Sequence, residues 1–212
     1  MLEESYDNIA LLKQFFVAIE KLDYALLRNE DRLFIKDRGD LDVIIRKNDT
    51  EYFIKAIKFF VQKNNLNSWI LEEHYHGLRI VLNSPNNTFF LKLDLHFSEC
   101  WKGIVLISAN EILKDSYLYQ SNIKVISNKH KALIQIMESL LNAINIKSRY
   151  EKNVNNYLEN HTEDLNNILS RNFGNNFLKS TIVGLKMKDL KSQSKKAKTQ
   201  IYISFLKRYI TF

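Results

Sequence analysis

The segment Gly39-Asp-Leu-Asp-Val-Ile-Ile45 sets two carboxylates two residues apart at the start of an apolar run. Side chains two apart on a strand point to the same face, so Asp40 and Asp42 project together. Adjacent carboxylates repel, and the pairing is costly unless a cation or a proton neutralises it. A hard divalent ion such as Mg2+, which prefers oxygen ligands, supplies that neutralisation. The alternative is a strand end whose two acids face water. A second segment, Leu91-Lys-Leu-Asp-Leu-His-Phe97, alternates Lys92, Asp94 and His96 with Leu93, Leu95 and Phe97. If the two strands are neighbours, three carboxylates converge. Three acids on adjacent strands can hold two metal ions about 4 Å apart and position a triphosphate against an attacking hydroxyl.

The elements that must position these residues follow from periodicity. Ile9, Leu12, Phe15, Phe16 and Ile19 form a helical stripe behind a cap at Ser5 or Asp7. Tyr24 to Asn29 reads as a short strand, and Leu41 to Arg46 as a second. Thr50 caps a helix to about Lys63, with Phe53, Ile54, Ile57, Phe60 and Val61 on its buried side. The period then changes to two. Trp69–His74, Leu78–Leu82 and Phe89–Phe97 are strands separated by turn chemistry at His76-Gly77 and Asn83-Ser-Pro-Asn-Asn87, which predicts an antiparallel meander. Trp101 to Ile107 is expected to continue it, and Tyr117 to Ile126 to add a hairpin or edge. From Asn128 the pattern is helical: Lys129 to about Ile146, Tyr150–Leu158, Glu163–Asn172, and Asn176 to Tyr209 with breaks near Gly184 and Ser192. The chain thus reads as two domains, 1–127 and 128–212.

This order of elements resembles the polymerase-β-like nucleotidyltransferase superfamily. It is most similar to uncharacterised bacterial nucleotidyltransferases of polysaccharide-biosynthesis type, which pair a Leu-Leu-Lys/Arg strand and an Asp-hydrophobic-Asp strand with a hydrophobic-acid-Leu-His segment. The resemblance runs over about residues 5 to 150 and rests on motif order. It implies an α+β fold with a nucleotidyltransferase-like mixed or antiparallel sheet flanked by helices and followed by a C-terminal helical domain. It also implies Mg2+, one or two ions, and a nucleoside triphosphate as substrate. Asp40 and Asp42 would hold metal and triphosphate, and Asp94 would activate the acceptor hydroxyl. Where the superfamily places a Gly-Gly or Gly-Ser pair to receive phosphate, this chain has Arg28-Asn29. Arg28 is either a forked phosphate donor in place of backbone amides or a surface arginine. Arg28, Asn29, Arg46, Lys92 and His96 are the expected nucleotide contacts, Arg46 because parity puts it on the side of Asp40 and Asp42.

Bulk properties narrow the alternatives. The 212 residues are 45% hydrophobic and 26% charged, a globular balance. Neither a Gly-x-x-x-x-Gly-Lys-Ser/Thr loop nor Gly-x-Gly-x-x-Gly occurs, which disfavours P-loop and Rossmann sites. No run of about 20 apolar residues suggests a membrane span, and the acidic start lacks a signal-peptide pattern, so a cytoplasmic protein is expected. The single Cys100 has no disulfide partner in the chain and no zinc-ligand spacing around it; it and Trp101 read as packing residues. His74 and His76 form a His-x-His pair better read as turn residues than as metal ligands. The formal charge of +7 is concentrated at the C-terminus. Residues 178–212 hold nine Lys/Arg and one Asp, a charge of +8, so the preceding 177 sum to −1. The lysines between Lys186 and Lys198 read as a solvated face or, more sharply, as a grip on RNA. Ile201, Tyr202, Phe205, Leu206 and Tyr209 read as a docking face for homo-oligomer formation. Three functions follow as expectations: nucleotidyl transfer to a small-molecule, glycan or protein acceptor; a catalytically silent binding module of the same fold; and an RNA-directed transferase or toxin.

Overall fold

The computed structural model describes residues 2–34, 40–120, 122–142, 145–160, 162–173 and 190–210. The chain divides into two compact units, Met1–Ser127 and Asn128–Phe212. The first is an α+β unit. Its elements are α1 (Leu2–Ile19), β1 (Tyr24–Leu26), a 3-10 turn (Glu30–Arg32), β2 (Asp40–Ile45), a second 3-10 turn (Lys47–Asp49), α2 (Thr50–Lys63), β3 (Asn67–His74), β4 (Gly77–Asn83) and β5 (Phe90–His96). They continue with β6 (Ser98–Trp101), β7 (Ile104–Ser108), α3 (Ala109–Lys114), β8 (Tyr117–Gln120) and β9 (Ile123–Val125).

Seven strands form one mixed sheet in the order β3-β4-β5-β2-β1-β9-β8. The β2–β5 and β1–β9 pairs are parallel; the others are antiparallel. The β3-β4-β5 meander forms as its turn residues predict, and β8–β9 is the expected edge hairpin. One face is the core. Leu41, Val43 and Ile45 of β2 join Leu91, Leu93 and Leu95 of β5 beneath α1 (Leu12, Phe15, Phe16, Ile19) and α2 (Phe53, Ile57, Phe60, Val61). Phe15 and Phe60 meet edge to face with centroids 5.6 Å apart. Burial of each such side chain contributes about 1.5–3 kcal/mol, so this layer fixes which sides of β2 and β5 point inward. Period two then sends their even-numbered residues to the opposite face.

Several expectations are corrected. The Trp101–Ile107 segment does not extend the meander. Both sides of β5 are already occupied by β4 and β2, and the chain turns back at Lys102 (φ 48) and Gly103 (φ 82) to make a separate two-stranded sheet, β6–β7. Positive φ at both positions is what a two-residue hairpin turn requires. A capping box at Ser108 and Glu111 starts α3, a helix absent from the sequence reading. Thr50 is the first residue of α2 rather than its cap; its hydroxyl donates to the Lys47 carbonyl at 2.6 Å. Helix α1 already begins at Leu2, ahead of the proposed caps.

Among the described residues the second unit contains α4 (Asn128–Asn142), α5 (Ser148–Asn160), α6 (Thr162–Phe173) and α7 (Leu190–Ile210), with α4 packed on α5 and α7, and α6 on α7. No break occurs at Ser192; α7 runs through it. The break expected near Gly184 lies outside the described residues. Ile201 is buried, whereas Tyr202 and Leu206 are exposed. No described helix is long and apolar enough to cross a membrane.

Candidate active site

The register of the sheet brings the acids together. Across the parallel β2–β5 pair, Asp42 stands beside Asp94 and Asp40 beside Lys92. Arg79 of β4 stands opposite Asp94, and Glu72 of β3 opposite Arg79. A single row across four strands therefore reads Glu72, Arg79, Asp94, Asp42, on the face away from α1 and α2. Arg28, just beyond β1, closes the row: its Nε donates to Asp42 Oδ2 at 2.8 Å and its Nη2 to Oδ1 at 3.4 Å.

Each carboxylate is held by a basic side chain. Arg79 Nε donates to Asp94 Oδ1 at 2.6 Å, while Arg79 Nη1 reaches Glu72 at 2.9 Å. Lys92 Nζ bridges Asp40 Oδ2 at 3.1 Å and Asp94 Oδ2 at 3.5 Å. His96 Nε2 lies 3.4 Å from Asp42 Oδ1. Asp42 and Asp94 are 16% and 17% exposed at the side chain, against 64% for Asp40, so the two in-register acids are the sheltered ones. Burial by itself would raise the Asp42 carboxyl. The hydrogen bond with His96 and the charge and hydrogen bond of Arg28 outweigh it and bring the pKa down to about 2. Asp42 is a firmly ionised carboxylate at neutral pH.

The donors are hard, ionised oxygens, the type a magnesium ion takes. As the side chains stand, no group of three His, Cys, Asp or Glu among the described residues is arranged to hold one ion, and arginine and lysine pair with the acids. The three carboxylates are neighbours, then, but in a ladder of ion pairs rather than around a shared gap.

The other predicted residues fall into two groups. Lys92 and His96 lie on the acid face, as alternation requires. Arg46 does not join them. The strand ends at Ile45, and the Arg46 side chain pairs with Asp23 and Asp49 and donates to Asn110 at 2.7 Å. His76 Nε2 lies 3.1 Å from the Gly103 carbonyl oxygen, tying the β3–β4 turn to the β6–β7 turn. Trp101 is buried, as a packing residue would be. Arg79 and Glu72 are the site residues that sequence reasoning missed. Two charged residues in strands were the available signal, and the tight turn before Gly77 sets their register.

Asn29 answers the missing glycine pair. Its backbone is left-handed, φ 68 and ψ 22, a region that asparagine tolerates better than other non-glycine residues. Asn29→Gly is expected to unfold within about 1 kcal/mol of the parent chain in urea, whereas Asn29→Val should lose about 2 kcal/mol.

No protein-family model matches the sequence, and no curated protein does. Two solved structures are similar in backbone. JHP933 from Helicobacter pylori aligns with a TM-score of 0.46 at 14% identity, over 97% of this chain and 93% of that one. A candidate nucleotidyltransferase from H. pylori aligns with a TM-score of 0.45 at 13% identity, over 99% and 98%.

Proposed function

We propose that the α+β unit transfers a nucleoside monophosphate from a nucleoside triphosphate to a hydroxyl acceptor in a magnesium-dependent reaction, the acceptor oxygen bonding to the α-phosphorus as the α–β phosphoanhydride breaks and pyrophosphate leaves. The observation that supports this most is the placement of Asp42 beside Asp94 on adjacent parallel strands, with Asp40 two residues along the same face. In this reading Asp40 and Asp42 hold metal, and Asp94 takes the proton of the acceptor hydroxyl. Arg28, Lys92 and His96, with Asn29 at the turn, face the nucleotide. Magnesium, when bound, neutralises phosphate charge and orients the reacting oxygens. The acceptor is a glycan of the polysaccharide-biosynthesis kind, another small molecule or a protein, and a reaction drawing on nucleoside triphosphates belongs in the cytoplasm. Calorimetric titration with ATP, CTP, GTP and UTP, each with magnesium, should give saturable binding for at least one. Silence from all four with a folded sample would sink the proposal.

One observation favours a second reading, a binding module without catalysis: all three acids are already neutralised by basic side chains. That module would engage a partner, or a second copy of itself through the helical unit, whether or not residue 42 is acidic. Light scattering of the parent chain and of Asp42→Asn separates the readings, since identical association with no nucleotide binding in either chain belongs to the module alone.

A further inference from the structure

The sheet of the α+β unit has an open edge. Strand β3 ends the strand order, so only β4 pairs with it, and every one of its residues is exposed. On an edge strand every second residue turns its N–H and C=O away from the sheet, and the group that satisfies such a row is another extended strand. Proteins guard long edges with lysine, proline, bulges or charge. In β3 those guards occupy only the second half, where the ladder to β4 is irregular between Ile70 and Glu72 and two acids follow. The first half, Asn67-Ser-Trp-Ile-Leu71, carries neither charge nor proline, and Trp69, Ile70 and Leu71 are 44%, 53% and 55% exposed. The other edge, β8, is half as long and is irregular between Leu118 and Gln120, a poorer template.

Charge and parity together identify the occupant. Glu72 and Glu73 lie at one end of β3, and Lys63, the last residue of α2, lies just before the other. An in-register parallel copy would set glutamate against glutamate, which is unfavourable. An antiparallel copy instead sends each acidic end toward Lys63 of the other chain. Neither Glu73 nor Lys63 has an ion-pair partner among the described residues. Ser68 and Ile70 stand beside Leu82 and Ile80 on the helix side, whereas Trp69 and Glu72 stand beside Val81 and Arg79 on the acid face. A two-fold axis between antiparallel neighbours is perpendicular to the sheet and keeps each face on its own side. Opposed residues then share parity, so the residue at the axis faces its own copy. Trp69 is the midpoint of the uncharged stretch.

We propose that β3 is a self-association edge: two copies of this chain pair antiparallel about Trp69 and join their sheets into one, with both acid faces on the same side. Trp69 then meets Trp69 of the second copy, and Ser68 meets Ile70. Aromatic pairs across a ladder add to what area burial alone contributes. A two-fold contact closes at the dimer, whereas β3 laid against β8 would be heterologous and open-ended. The dimer is independent of what the acid face catalyses.

The test uses the whole chain in light scattering over a wide concentration range, with circular dichroism to confirm folding. The parent chain should show a reversible monomer–dimer equilibrium. Trp69→Lys sets two like charges face to face at the axis and should weaken the dimer about tenfold or more. Glu73→Lys and Lys63→Glu should each weaken it as well, and the double variant should recover the parent association. A strand that was merely damaged would not recover. A parent chain that stays monomeric throughout overturns the inference, and so does growth beyond the dimer. So does a dimer that Trp69→Lys leaves unchanged, since the contact then lies elsewhere, or a double variant as weak as its single parents.

Discussion

Asp42→Asn is expected to abolish saturable binding of the magnesium–nucleotide complex and to lower stability at neutral pH by about 2 kcal/mol. The two effects have one origin. Asp42 is firmly ionised, with a pKa brought down to about 2 against the ordinary 3.8. Because the folded pKa lies below the unfolded one, the charge stabilises the fold above about pH 4, and that contribution disappears as pH falls toward 2. Denaturation curves of the two chains should therefore be well separated at pH 7 and converge near pH 2. Asparagine keeps the shape and one acceptor but leaves the forked guanidinium of Arg28 without its carboxylate. A variant that binds nucleotide normally, or a stability gap unchanged between pH 7 and pH 2, would show that Asp42 does not carry this charge.

Gly77→Ala should be the most disruptive small substitution in the α+β unit, lowering stability by about 3 kcal/mol in urea denaturation. A Cβ at this position would lie 2.5 Å from the Leu95 carbonyl oxygen and 2.7 Å from the His74 ring. The first of these is backbone, so neither strand can yield without opening the β4–β5 ladder. Gly77 pairs with His96, and two residues along the same ladder Arg79 pairs with Asp94. Displacement here separates the ion pair that orders the row, so the affinity for metal and nucleotide should fall together with stability. An alanine variant as stable as the parent would mean that the two strands do not approach so closely.

Much of this arrangement is legible in the sequence because alternation is a local signal. Asp40, Asp42, Lys92, Asp94 and His96 share one face for the same reason that Leu41, Val43, Leu91, Leu93 and Leu95 share the other. The C-terminal limit of α2 at Lys63 matches its sequence assignment, and its start differs only in that Thr50 is the first helical residue rather than the cap. What local pattern does not hold is pairing. Nothing in the spacing of β2 and β5 says that they run parallel or that Asp42 meets Asp94 rather than Lys92 or His96. Nor does a tightly packed row of acids announce its own counter-ions; Arg79 looks like any strand arginine until the β3–β4 turn fixes its register. Arg46 shows the reverse failure. Its backbone is still extended, φ −71 and ψ 142, but two nearby acids, Asp23 and Asp49, capture the guanidinium just before the Lys47–Asp49 turn. Strand β3 is exposed along its whole length, Trp69, Ile70 and Leu71 included, because it is an edge of the sheet, and edge or centre is a property of topology.

The parallel pairing of β2 with β5 also sets when the site can come into being. Asp42 and Asp94 are 52 positions apart, so α2, β3 and β4 must be bridged before the two strands can meet. Closing so long a loop carries an entropic cost that the hairpins do not bear, which makes this ladder a late event in folding. During synthesis the N-terminal acid pair emerges while its partner strand is still inside the ribosome. Until β5 has cleared the exit tunnel, the chain carries Asp40, Asp42 and Arg28 with no Asp94, Lys92 or His96 beside them. Whatever chemistry the row performs is therefore denied to nascent chains until β5 has emerged and the sheet has closed around its centre.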